Sequence, residues 1–149
     1  MRMETLAHRL PASGLERAAA AFSHGALLLG MPFVLPLAIL VLFPLMQPSD
    51  YVKQQSLQAL VFHLLVTLIA GGLFALALVF GLFGVLEAVF MASPDGQLSA
   101  MPANWWLALL SGVASVVVLL WGGVMALVAT VMALRGQPYN LPLVGGLGR

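Results

Sequence analysis

LQALVFHLLVTLIAGGLFALALVFGLFGVLEAVFM, Leu57 to Met91, runs for 35 residues with no Lys, Arg or Asp and a single carboxylate, Glu87. A helix over that stretch is roughly 52 Å long at ~1.5 Å per residue. One perpendicular crossing of a ~30 Å hydrocarbon core needs less than that, and two crossings with a turn need more. The run therefore predicts one long helix, tilted or kinked, with Gly71-Gly72 or Gly81 and Gly84 as its flexible points. The segment that follows, SPDGQLSAMPAN (Ser93 to Asn104), carries Pro-Asp-Gly turn chemistry and no positive charge. A second long helix is predicted from about Trp105 to Leu134, with Trp105 and Trp106 at the membrane interface. Arg135-Gly136 closes it, since a cation suits a helix C-terminus and a glycine its cap.

All six basic residues, Arg2, Arg9, Arg17, Lys53, Arg135 and Arg149, avoid the 81 positions between Lys53 and Arg135. With 62% apolar residues, 7% charged residues and a mean hydropathy of +1.06, the chain has too little polar surface to coat a soluble globule. Its 149 residues allow one domain, and a net charge of +1 provides no basic field for nucleic acid. The absence of cysteine removes disulfides, thiolate chemistry and cysteine metal sites. Arg2 and Arg9 precede an Ala/Leu-rich stretch as in a secretory signal, but Glu16 and Arg17 interrupt it, so no cleavable signal is expected.

Residues 1–13 read as a cytoplasmic leader, residues 14–142 as the membrane domain and residues 143–149 as a flexible tail. Pro32, Pro36 and Pro44 interrupt the first apolar stretch, and proline inside a helix removes a hydrogen bond and clashes with the preceding turn. Two short helices, about 15–30 and 33–45, fit better than one crossing, each about 20 to 24 Å long. They form a short N-terminal hairpin. QPSDYVKQQS, Gln47 to Ser56, is a polar juxtamembrane segment, with Ser49 or Asp50 as N-cap of the third helix. If residues 15–46 crossed once, three cations would lie on each face; if they enter and return, all six share one face, as the positive-inside rule favours. The predicted fold is thus all-α, an integral membrane four-helix protein with helices about 15–30, 33–45, 57–91 and 105–134 and both termini cytoplasmic.

At 100° per residue, Ala108, Ser111, Gly112, Ser115, Gly122, Ala126, Ala129 and Ala133 share one face of the last helix, with Leu119 the bulky exception. A weaker stripe on the helix before it contains Ala59, Ala70, Ala77, Gly81, Gly84 and Ala88. In lipid, helices associate through close backbone approach, so the two stripes are expected to pack together; a small-residue groove or a homodimer seam is the alternative. Polar residues within apolar sequence are the other candidates. His24 and His63 are expected to face protein as neutral imidazoles, with ion handling as the functional alternative. Gln55, Gln58 and Phe62 share a helix face near the basic interface, where the amides reach the tail or a neighbouring helix. Glu87 is expected to snorkel to the opposite interface, and Tyr139 to lay its ring at headgroup level. His24 and His63 offer only two metal ligands, with His8 remote, so neither metal nor cofactor is expected. No catalytic triad, paired carboxylates, HExxH or phosphate-binding glycine loop occurs, and no enzymatic activity is expected.

Three segments together carry a resemblance: ERAAAAFSHGALLLG (Glu16 to Gly30), YVKQQSLQALVFH (Tyr51 to His63) and ALRGQPYNLP (Ala133 to Pro142). They resemble a bacterial membrane family of unknown function related to the Tic-twenty component of the chloroplast protein-import translocon. An early A-x-L-x-H-like pattern is matched by Ala20 and His24, with the L position departing, and a helix entry H-A-x-Q-A-L-x-F by Gln58, Ala59, Leu60 and Phe62, with Ser56-Leu57 in place of His-Ala. A closing A-x-x-G-x-x-Y-x-x-P is matched by Ala133, Gly136, Tyr139 and Pro142. The resemblance implies a four-helix integral membrane domain. The expected function is that of a small non-enzymatic component or accessory of a membrane assembly in the cell inner membrane; the alternative is a Tic-twenty-like channel or transport subunit for polypeptide or small solute. Expected partners are the lipid bilayer and a protein or second copy of the chain, with no nucleic acid.

Overall fold

The computed structural model describes residues 12–47, 49–91 and 103–141. Within them the chain is all-helical, with no strand: α1 is Gly14–Gly25, α2 Val34–Met46, α3 Asp50–Met91 and α4 Ala103–Leu134. Most of the expected leader, the loop residues 93–102, Pro142 and the tail 143–149 lie outside the described residues. The chain divides into two compact units, Met1–Leu64 with Gly122–Arg149, and Leu65–Trp121.

Local sequence explains each helix end. Ser13 caps α1: its hydroxyl accepts from the Glu16 amide at 3.2 Å, and the Glu16 carboxylate accepts from the Ser13 amide at 2.6 Å, a reciprocal capping box. The α-helical pattern stops at Gly25 and turns carry the chain on to Gly30, shortening the helix expected over 15–30. Gly30 has φ +72°, and the Gly30 amide donates to Leu27 and the Met31 amide to Ala26, the paired bonds of a Schellman cap. Pro32 follows, so the chain turns at the proline corner. In α2, Pro36 sits in the first turn, where its missing amide has no helical partner to lose, while Pro44 lies inside the helix.

The third helix begins at Asp50, seven residues before the start expected from hydropathy. Ser49 supplies the cap, its hydroxyl accepting from the Val52 amide at 3.3 Å. The polar stretch Asp50 to Ser56 is therefore helical, with Gln55 and Ser56 turned inward and Asp50 and Lys53 exposed, a division that mean hydropathy does not register. The helix has 42 residues and α4 has 32, roughly 63 and 48 Å of helix. Both are long and apolar enough to cross a membrane, and only 11% and 22% of their most apolar windows are buried within the protein. Large apolar side chains such as Phe74, Leu78, Val117 and Leu120 point outward. The 13-residue α2 is too short to span a ~30 Å core. At its end, α4 closes on Gly136, φ +72°, with Gly136 N–H donating to Ala133 and Gln137 N–H to Met132. A Cβ on Gly136 would also stand 3.0 Å from Arg17 Cδ, so the position excludes side chains on two grounds.

In the second unit, α3 and α4 meet through their small residues. The face of α4 carrying Ala108, Gly112 and Ser115 is turned inward, whereas Leu119, its bulky exception, is half-exposed. A Cβ on Gly112 would touch Ala77 at 3.8 Å, and one on Gly81 would touch Ala108 at 4.0 Å. Ser115 Oγ donates to the Ala70 carbonyl at 2.8 Å, adding a polar tie to a contact otherwise made by dispersion. Gly84 lies under the Trp105 indole, with Cδ1 3.0 Å from where a Cβ would be. In the first unit the core is built on Ala19, Ala20 and Ala21 of α1, packed with Phe43, Val52 and Ala133.

Candidate functional site

The first unit buries its polar side chains where α1 meets the start of α3. Ser23, His24, Gln55, Ser56, Gln58 and His63 are all essentially inaccessible to solvent. Burying that many polar groups is unfavourable unless they are bonded, so their partners define the site. Ser23 Oγ lies 3.1 Å from the Ala19 carbonyl and 2.8 Å from Ser56 Oγ. A carbonyl only accepts, so Ser23 donates its one hydrogen to Ala19 and Ser56 donates to Ser23. One residue further along α1 and one residue earlier in α3, His24 Nε2 donates to Gln55 Oε1 at 3.0 Å. Two adjacent residues of α1 thus meet two adjacent residues of α3. His63 lies two turns further along α3, and its Nδ1 donates to the Pro32 carbonyl at 2.8 Å. Proline 32 therefore marks the corner after α1 and offers its carbonyl to the buried imidazole, joining the turn to α3.

His24, Gln55, Gln58 and His63, singled out from sequence, are all buried in this one unit. Glu87 is placed elsewhere, in the second unit, half-buried, where its carboxylate accepts from Asn104 Nδ2 at 2.9 Å. Tyr139 lies against α4, its hydroxyl donating to Met125 Sδ at 3.6 Å, and Leu141 beyond it is buried. The segment 135–141 is thereby docked on the first unit. Sequence reasoning missed Ser23 and the direction in which Ser56 points. The available signal was the adjacent Ser23-His24 pair in an otherwise Ala-rich and apolar stretch of α1, which requires polar partners such as Gln55 and Ser56.

Chemically the cluster is a neutral hydrogen-bonded clasp. It contains hydroxyls, amides and imidazoles but no carboxylate, and among the described residues no group of three or more His, Asp or Glu is placed to hold a metal ion. The charged groups gather at the α1 entrance. Ser49 and the Ser13 amide bond the Glu16 carboxylate and hold its pKa below the usual carboxylate value. Arg17 Nε donates to the Ala12 carbonyl at 2.8 Å, and its stem covers Gly136.

Comparison with known families corrects the resemblance drawn from the three short segments. A family model described as the magnetosome magnetite crystal formation protein family (MamF/MmsF) matches residues 15–147, nearly the whole chain. The Tic-twenty assignment rested on short motifs whose residues serve this chain's own packing, His24, Gln58 and Phe62 being buried and Gly136 closing α4. No curated protein and no solved structure matches the chain. By the extent of the match, the chain belongs to the magnetosome magnetite crystal formation protein family.

Proposed function

We propose that this protein is a non-enzymatic, multi-pass component of the magnetosome membrane that acts in the formation of the magnetite crystal. The observation that carries this reading is the family match over residues 15–147, which takes in all four helices but for Gly14. The structure supports the membrane part: two helices of spanning length bear outward-facing Leu, Val and Phe, the side chains a hydrocarbon environment accepts. In this reading the short α1 and α2 enter the membrane and return, which gathers all six basic residues and both termini on the cytoplasmic face, the arrangement the positive-inside rule favours. In that arrangement the segment between α3 and α4 faces the compartment interior, where the mineral grows. A role through organisation of the membrane and its partners, including further copies of the chain, suits a protein whose buried Ser23, His24, Gln55 and Ser56 side chains tie α1 to α3.

Deletion of the gene in its host tests the reading. Electron microscopy should show magnetosome membranes still present and crystals altered in size or shape, with restoration by the intact gene. Crystals indistinguishable from those of the parent strain would contradict it.

A further inference from the structure

We propose that Arg17 and Arg135 form a binding site for the phosphate of an anionic phospholipid, at the end of the first unit where α1 begins and α4 stops. Three helix ends converge there. Tyr51, in the first turn of α3, packs against Ala20 and Ala21 of α1 and Ala133 of α4. One turn nearer the ends, the Arg17 side chain lies on Gly136, its Cδ 3.0 Å and its Nε 3.5 Å from where a Cβ would stand. Arg17 Nε donates to the Ala12 carbonyl at 2.8 Å, so the guanidinium is anchored while its two terminal nitrogens have no partner among the described residues. A fork already fixed in place loses little side-chain entropy when it takes a phosphate through two parallel N–H bonds. Arg135 adjoins Gly136 in the chain and is exposed.

The groups that would otherwise occupy these cations are already engaged. The Glu16 carboxylate, next to Arg17, is bonded by the Ser13 amide and by Ser49. Three of the last four α4 carbonyls, those of Val131, Met132 and Ala133, accept from the Arg135, Gln137 and Gly136 amides. Asp50 is exposed at the start of α3, and no ion pair joins it to either arginine among the described residues. Two uncompensated cations at one place select a net anionic ligand. What borders them sets its source: Leu15, two residues before Arg17, and Leu134, next to Arg135, are each 55% exposed. Charge bordering exposed leucine is the profile of the headgroup level, where a phospholipid offers phosphate to the arginines and acyl chains to the leucines; a free phosphate offers only the first. The inference rests on the membrane placement proposed above.

For the test, the full chain is purified in detergent and its lipid adducts are measured by native mass spectrometry, with phosphatidylglycerol and phosphatidylcholine of identical acyl chains as probes. The unsubstituted chain should retain one phosphatidylglycerol, preferred about tenfold or more over phosphatidylcholine. Arg135→Gln and Arg17→Gln should each weaken that preference by about fivefold. Arg17→Lys, which keeps the charge and loses the fork, should weaken it as well. Lys53 provides the control: it is exposed, about 200° round α3 from Tyr51, so Lys53→Gln removes an equal charge away from the site and should leave the preference unchanged. Equal retention of the two lipids, an equal loss for Lys53→Gln and Arg135→Gln, or displacement of phosphatidylglycerol by excess inorganic phosphate overturns the inference, the last by marking a site for the free anion. The unsubstituted chain and the exposed Arg135 variant decide the question even where an Arg17 variant fails to fold. A chain without headgroup preference leaves the deletion phenotype untouched, whereas crystals unaltered by deletion count against the proposed function and not against the lipid site.

Discussion

Gln55 shows at the scale of one residue why the clasp is stabilising. Its Oε1 accepts the proton of a wholly buried imidazole, so Gln55→Leu leaves His24 Nε2 without a partner and should cost about 1 to 3 kcal/mol. Glu87→Gln keeps an amide oxygen for Asn104 to donate to and should change stability by less than about 0.5 kcal/mol. Thermal unfolding in detergent compares the two; equal losses would contradict the burial argument. Glu16 makes a pH-dependent contribution of definite sign. Its folded pKa is depressed below the ordinary 4.5, so its stabilisation is fully present above that value and is lost as pH falls through the folded pKa. Melting of the parent chain should therefore fall toward the Glu16→Gln variant as pH drops below about 4.5. A gap between the two that widens on acidification would reverse the assignment.

Among the helices, glycine positions separate structural need from tolerance. A Cβ at Gly84 would stand 3.0 to 3.3 Å from three atoms of the Trp105 indole, so the ring must shift to admit it. Gly84→Ala should cost about 1 to 3 kcal/mol through overpacking. Nothing lies within 4 Å of a Cβ at Gly72, so Gly72→Ala should be neutral or stabilising by up to about 1 kcal/mol, the helix-propensity difference. Parallel melting curves settle it, and a Gly84 variant as stable as the Gly72 variant would remove the close-packing account of α3 and α4. The small-residue face of α4 was legible in sequence because a 3.6-residue period survives whatever surrounds the helix. The start of α3 was not. Hydropathy places polar residues in water, whereas Gln55 and Ser56 are buried against His24 and Ser23 of α1, a contact no local property of Asp50 to Ser56 announces. Ser23 was hidden for the same reason, since a serine among alanines reads as filler until its partner is known.

For the whole molecule, composition and charge carried most of what the sequence offered. The apolar runs of α3 and α4 and the confinement of all basic residues to three short regions follow directly from what hydrocarbon accepts and excludes. Function did not follow from the same features, because a clasp of serines, histidines and glutamines is compatible with many membrane proteins; the similarity to Tic-twenty relatives was built on those shared constraints and gave way to a match spanning residues 15–147.

The proposed function turns on whether the chain sits in the magnetosome membrane in the orientation given above, and the native absence of cysteine lets that be measured directly. Single cysteines at Ser49, Gln97 and Gln137 are introduced in the intact protein, and a membrane-impermeant thiol reagent is applied to sealed magnetosomes, whose outer surface is the cytoplasmic face. Labelling at 49 and 137, with 97 protected until the membrane is opened, is the predicted result. Protection at 49 would show that residues 15–46 cross once, and labelling at 97 or absence of the chain from the magnetosome fraction would contradict the placement outright.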